Sequence, residues 1–186
     1  MHLKFFLSVI FLLGFIYLIF PGPSSINDIP PLPDSLKSDE PGDTTQVPNT
    51  AAYFSNLRRK EIMDFYQEKL SYINILGFKI SPIRLNHPPE ESFTYIRDQQ
   101  PSTYLEQFTY PFRDSVFING FEPFDEKGKP YRLGATEIFI KGDYYQSKTN
   151  IRYYPSSVLY RILIYMLVWV SVIWLYRLTI KALKER

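Results

Sequence analysis

Two apolar stretches, one near each end of the chain, constrain the fold more than any other feature. From Phe5 to Phe20 the sequence reads FFLSVIFLLGFIYLIF, sixteen residues without a charge, preceded by Lys4 and stopped by Pro21-Gly22-Pro23. At the helical rise this is about 24 Å, slightly short of the ~30 Å hydrocarbon core of a bilayer. A cleaved signal peptide is the rival reading, but the stretch is long for one and no A-x-A-like site follows it. The second stretch, Val158 to Tyr176, has nineteen residues and a single charge, Arg161. It makes about 28 Å of helix, enough to span. Arg161 lies one turn inside its start, where a long side chain is expected to snorkel to the headgroups.

These stretches divide the chain into a transmembrane signal anchor (1–20), a linker (21–50), an extracytoplasmic domain (51–157), a transmembrane helix (158–176) and a basic tail (177–186). Lys4 precedes the first span, and Arg177, Lys181, Lys184 and Arg186 follow the second. The positive-inside rule then places both termini in the cytoplasm and residues 21–157 outside it. No cysteine and no N-x-S/T acceptor occurs, which points to a bacterial plasma membrane rather than a eukaryotic secretory route.

Residues 21–50 hold seven prolines, five acids and one lysine. Such composition buries little apolar surface and favours extended polyproline II, so a disordered linker is expected. Asn49-Thr50 then fits the cap of a helix over 51–70, with Phe54, Leu57, Ile62, Phe65, Tyr66 and Leu70 as its apolar stripe. Its Arg58-Arg59-Lys60 triplet is followed at once by Glu61, Asp64 and Glu68, which reads as an ion-paired face rather than a nucleic-acid contact. FKISPIRL, from Phe78, reads as a strand interrupted by Pro82. Further helices are expected over 89–99 and from Thr103.

The last third reads as β structure. Ser115–Asn119 is a strand closed by Asn119-Gly120, and 125–129 is an exposed turn. A hairpin is expected from Thr136 to Tyr154 around a type II′ Gly142-Asp143 loop. That loop sets Ile140 opposite Tyr145 and Glu137 opposite Lys148, with Ile138, Ile140 and Tyr145 on one face. The fold class is therefore α+β: two transmembrane helices flanking a small extracytoplasmic domain with N-terminal helices and a C-terminal antiparallel hairpin.

Chemistry is sparse. The zero cysteine count removes thiol catalysis and cysteine-based zinc sites. The nucleophile-elbow, phosphate-loop, zincin and calcium-loop motifs do not occur. His87 with Glu90 and Glu91 is a candidate cation group, although two prolines separate the histidine from the acids and a helix start accounts for the carboxylates. Glu90, Glu91, Asp98 and Asp114 are candidate acids for glycan chemistry, which needs two carboxylates at a defined separation. From Tyr104 to Tyr154, thirteen of fifty-one residues are aromatic, a surplus suited to a core, a protein interface or a sugar platform. No cofactor and no nucleic-acid partner is expected. The expected role is that of a two-pass membrane protein contacting the bilayer and a membrane or envelope protein, or a second copy of itself. An envelope enzyme or binding protein acting on cell-wall glycan or lipid headgroups is the alternative.

Overall fold

The computed structural model describes residues 2–41, 43, 47–71, 73–75, 77–86, 112–120, 122–131 and 134–185. They fall into two units. One comprises Met1–Pro21, Pro111–Arg113 and Ser156–Arg186; the other comprises Gly22–Tyr110 and Asp114–Pro155. The class is α+β, with three α-helices and both parallel and antiparallel strand pairing among the described residues.

The first unit holds α1 (His2–Ile19) and α3 (Val158–Lys184). Among the described residues one helix, α3, is long and apolar enough to cross a membrane, and Lys4–Ile19 forms a shorter apolar helix. The two helices run antiparallel, because contacts climb one helix as they descend the other. Phe11 stacks on Tyr165 and meets Trp169 edge-on, both at 5.5 Å between ring centroids. The Tyr165 hydroxyl donates to the Phe11 carbonyl at 2.9 Å, and Arg161 reaches the Leu18 carbonyl. At Gly14 an added Cβ would collide with the Tyr165 hydroxyl, so this close approach requires a residue without a side chain.

Two arginines gather at the C-terminus of α1. Arg113 Nη1 donates to the carbonyls of Tyr17 (2.7 Å), Leu18 (3.3 Å) and Phe20 (2.8 Å). Arg161 bonds the Leu18 carbonyl and both the hydroxyl and the carbonyl of Ser156. The last carbonyls of a helix lack intrahelical donors and carry the negative end of its dipole, so a fork-shaped cation is well matched to them. Arg161 is 2% exposed. It is held by protein carbonyls rather than extended towards headgroups, which corrects the snorkelling expectation.

The second unit is built on a five-stranded sheet ordered β1 (Leu36–Lys37), β2 (Thr50–Ser55), β9 (Ser147–Tyr154), β6 (Ser115–Asn119), β5 (Arg84–Asn86). Among the described strands, β5–β6 is the one parallel pair. One face carries Ala51, Tyr53, Val116, Ile118, Ile151 and Tyr153. Against these pack Ile62, Tyr66 and Leu70, a four-residue repeat along α2 (Arg59–Leu70). Two further ribbons, β3 (Ile73–Ile75) with β4 (Phe78–Ile80), and β7 (Ile138–Ile140) with β8 (Asp143–Tyr145), form separate two-stranded sheets.

Four expectations change. The helix over 51–70 is a strand followed by a shorter helix: Thr50–Ser55 pairs with β9 along its whole length. Ala51 to Ser55 are all buried, so this segment has no polar face to alternate with, and sheet burial prevails over local helical spacing. Asn49 does not cap a helix; it sits at φ 56° and its carbonyl accepts from Tyr153 N.

The stretch read as a disordered linker instead packs. Ile29 and Leu32 lie in the core, Tyr66 donates to the Pro30 carbonyl at 3.0 Å, and Tyr153 donates to the Pro23 carbonyl at 2.7 Å. Proline lacks an N–H but keeps an accepting carbonyl, and extended polyproline backbone leaves that oxygen free for a distant donor.

The strand around Pro82 is two strands. Phe78–Ile80 pairs with β3, whereas Arg84–Asn86 enters the main sheet, as a residue that cannot donate to a ladder dictates.

The hairpin turns on Lys141-Gly142, both at positive φ (54° and 98°), which is type I′ geometry rather than II′. Ile140 therefore faces Asp143, and Ile138 faces Tyr145. A slide of two residues preserves the faces: Ile138, Ile140 and Tyr145 are half-buried, Phe139 and Tyr144 exposed. The Glu137/Lys148 pair gives way to Lys148 with Asp43 (2.8 Å) and Glu40 (2.9 Å), because β9 leaves the hairpin for the main sheet.

The boundary at Asn119-Gly120 stands. Gly120 is at φ 88°, and a Cβ there would lie 2.6 Å from the Lys148 carbonyl oxygen. The helices expected over 89–99 and from Thr103 lie outside the described residues.

Candidate functional site

A groove of 780 Å³ lies at the N-terminal end of α2 in the second unit. One wall is the end of β2 and the start of α2, contributing Asn56 and Arg58; the facing wall is the β7–β8 ribbon, with Glu137, Tyr144, Tyr145 and Gln146; the lip is 122–128, with Glu122, Phe124, Asp125 and Glu126. Local chemistry positions each part. Glu122 Oε2 accepts from Arg59 N at 2.9 Å, satisfying one of the orphan amides of the α2 start where the dipole favours a carboxylate. Asp125 Oδ1 accepts from both Lys127 N and Lys129 N at 2.8 Å, folding the lip into an Asx-type turn closed by the Phe124–Pro130 bridge. Asn56 Oδ1 accepts from Gln146 N at 3.2 Å, which ties the β8–β9 junction to the end of β2.

A second cavity of 450 Å³ lies beyond the end of β1, lined by Ile26, Ile29, Asn49 and Tyr53. Burial raises the Tyr53 hydroxyl above its ordinary pKa, and burial followed by the neighbouring Tyr53 raises Tyr66 further. Elsewhere, burial would lower Lys148, but hydrogen bonds and charge from Asp43 and Glu40 prevail and raise it. Among the described residues no group of three or more His, Asp or Glu side chains is arranged to hold a metal ion.

No known family, no curated protein and no solved structure matches this chain. The site therefore rests on its geometry alone. Of the acids singled out from sequence, Asp114 is described. It is 5% exposed at the entry to β6, its backbone carbonyl accepts from Arg84 N at 2.9 Å, and it does not line the groove. His87, Glu90, Glu91 and Asp98 lie outside the described residues. The groove residues were invisible as a set in the sequence. Arg58 and Glu122 are 64 positions apart and Glu122 and Tyr144 are 22 apart, and the turn signals at Asn119-Gly120 and Gly142 hinted at where the chain doubles back.

Proposed function

We propose that this chain is a two-pass integral membrane protein of a bacterial cell envelope, with α1 and α3 both crossing the bilayer and both termini cytoplasmic. Residues 21–157 lie outside the cytoplasm and make protein contacts, as a scaffold or accessory subunit without catalysis. The observation that carries the reading is the outer surface of the helix pair. Phe5, Leu13, Leu159, Leu167, Val170 and Trp174 are each at least 60% exposed, and water is a poor solvent for two such helices side by side. Antiparallel packing supports termini on one side, and the basic residues after Tyr176 support that side being cytoplasmic. The carbonyls at the end of α1, met by Arg113 and Arg161, suit a helix end at a membrane boundary, where unpaired backbone is costly.

The absence of native cysteine makes the topology directly testable. Lys127→Cys should react with a membrane-impermeant maleimide on intact spheroplasts, and Lys184→Cys only after permeabilisation; the reverse pattern would reject the orientation. In-cell crosslinking followed by mild-detergent purification through a C-terminal tag should yield a stoichiometric partner or a homo-oligomer. A solitary monomer would reject the scaffold role.

A further inference from the structure

We propose that the groove between α2 and the β7–β8 ribbon is a binding site for an uncharged oligosaccharide. The inference stands on the second unit alone and does not depend on the membrane topology.

Its first support is where apolar surface is left open. Among the described residues 22–155, the large apolar side chains classed as exposed are Tyr131, Phe139 and Tyr144. Single exposed rings are ordinary. Phe139 and Tyr144 are not single: they are a cross-strand pair with ring centroids 4.6 Å apart, 55% and 65% exposed. The ribbon that carries them is separate from the main sheet, so this pair shields no core of its own. Tyr144 also lines the groove, beside the half-buried Tyr145 and Phe124.

The second support is the polar set that lines the groove together with Tyr144. Asn56 uses its carbonyl oxygen on Gln146 N, which directs attention to its remaining amide donors; the Gln146 side chain and the exposed Glu137 carboxylate stand on the facing wall. Planar amides and carboxylates bond vicinal hydroxyls in pairs, while the C–H face of a pyranose packs on an aromatic face. A volume of 780 Å³ falls within the roughly 300–1,000 Å³ of small-molecule sites.

The third support separates a sugar from a basic peptide. Four carboxylates line the groove, Glu122, Asp125, Glu126 and Glu137, and backbone amides of Arg59, Lys127 and Lys129 fix the first two in place without cancelling their charge. Arg58 lines the same groove and the exposed Lys127 and Lys129 stand on its lip, so four carboxylates meet three cations. Charge is nearly balanced, so the field that would draw a polycation is small.

The test uses the full chain in lipid nanodiscs, which avoids glycoside detergents. Maltohexaose, cellohexaose and chitohexaose are each titrated by calorimetry and by saturation-transfer NMR to about 10 mM, a limit that captures weak sites. At least one hexaose should bind. Tyr144→Ala and, separately, Gln146→Ala should weaken it by about tenfold or more, whereas Tyr131→Ala should leave it unchanged. Both groove side chains are exposed, so circular dichroism should show the fold intact. Failure of all three hexaoses to bind the wild type overturns the proposal, as does binding that survives Tyr144→Ala. An octalysine peptide that binds the wild type and displaces the hexaose also overturns it, and would assign the groove to a basic protein segment.

Discussion

Arg113 donates to the Phe20 carbonyl at 2.8 Å, joining residues 93 positions apart. The same nitrogen meets Tyr17 O at 2.7 Å, so one guanidinium serves the carbonyls that α1 cannot pair within itself. Arg113→Met should lower stability by about 3 kcal/mol, in line with loss of charged hydrogen bonds at a buried site. Arg113→Lys should recover only part of this, because an ammonium cannot reproduce the flat fork. Thermal unfolding in nanodiscs decides it: equal melting temperatures for wild type and Arg113→Met would show that the contact is incidental.

Two tyrosines hold the proline-rich segment in place, Tyr66 of α2 through Pro30 and Tyr153 of β9 through Pro23. Tyr66→Phe and Tyr153→Phe should each cost about 1 kcal/mol, the net worth of a neutral hydrogen bond. The more telling readout is local. Hydrogen exchange at Ile29 and Leu32 should accelerate in the double variant while that of Ile118 and Ile151 changes little. Uniform acceleration would mean that the segment and the sheet unfold as one unit.

These long-range bonds explain what could be read from the sequence and what could not. The strand ending at Asn119-Gly120 and the existence of a turn near Gly142 were legible, because positive φ and alternation are local signals. The strand at 50–55 was not, since both its faces are buried and its spacing also suits a helix. Order in 23–32 was equally hidden, as it depends on hydroxyls 36 and 130 residues away in sequence. The groove escaped for the same reason: its walls are assembled by β9 running between β2 and β6, and no window of the sequence contains that pairing.

Ser55 and Ser147 face each other across β2 and β9 with hydroxyls 2.9 Å apart, both fully buried. Removing one hydroxyl leaves the other without this partner, whereas removing both leaves no such orphan. Ser55→Ala and Ser147→Ala should each destabilise by about 1–2 kcal/mol, and the double variant by less than their sum. Chemical denaturation of the four proteins completes the cycle; strict additivity would show that the hydroxyls do not sense each other.

The pH profile should fall at both ends. Hydrogen bonds from the Ser24 side chain, then from Ser24 and Ser25 backbone, lower Asp28 below its ordinary 3.8, and the Lys141 ammonium lowers Asp39. A lowered carboxylate contributes stability above pH 3.8 that is lost as pH falls through its folded value. Tyr66, Tyr53 and Lys148 are raised, so their contribution is complete below about pH 10 and is lost as pH rises further. Denaturation midpoints should therefore be level between about pH 5 and 9. Ser24→Ala should move the Asp28 carboxyl titration, followed by NMR, back towards 3.8; an unchanged midpoint would remove Ser24 as the cause.

The approach of α1 to α3 depends on Gly14, which lies under the Tyr165 ring while the Tyr165 hydroxyl bonds the Phe11 carbonyl. On helix propensity alone, Gly14→Ala should stabilise α1 by up to about 1 kcal/mol. The collision of the new Cβ with Tyr165 should reverse that sign, since forced repacking costs about 1–3 kcal/mol and small residues are what let helices approach closely. Thermal unfolding of the four proteins formed by Gly14→Ala and Tyr165→Ala separates the effects. With Tyr165 present the glycine substitution should destabilise; with Tyr165 removed it should be neutral or stabilising. If Gly14→Ala costs the same in both backgrounds, the ring is not what excludes a side chain there, and the helix pair is held by the Phe11–Trp169 contact and the arginines instead.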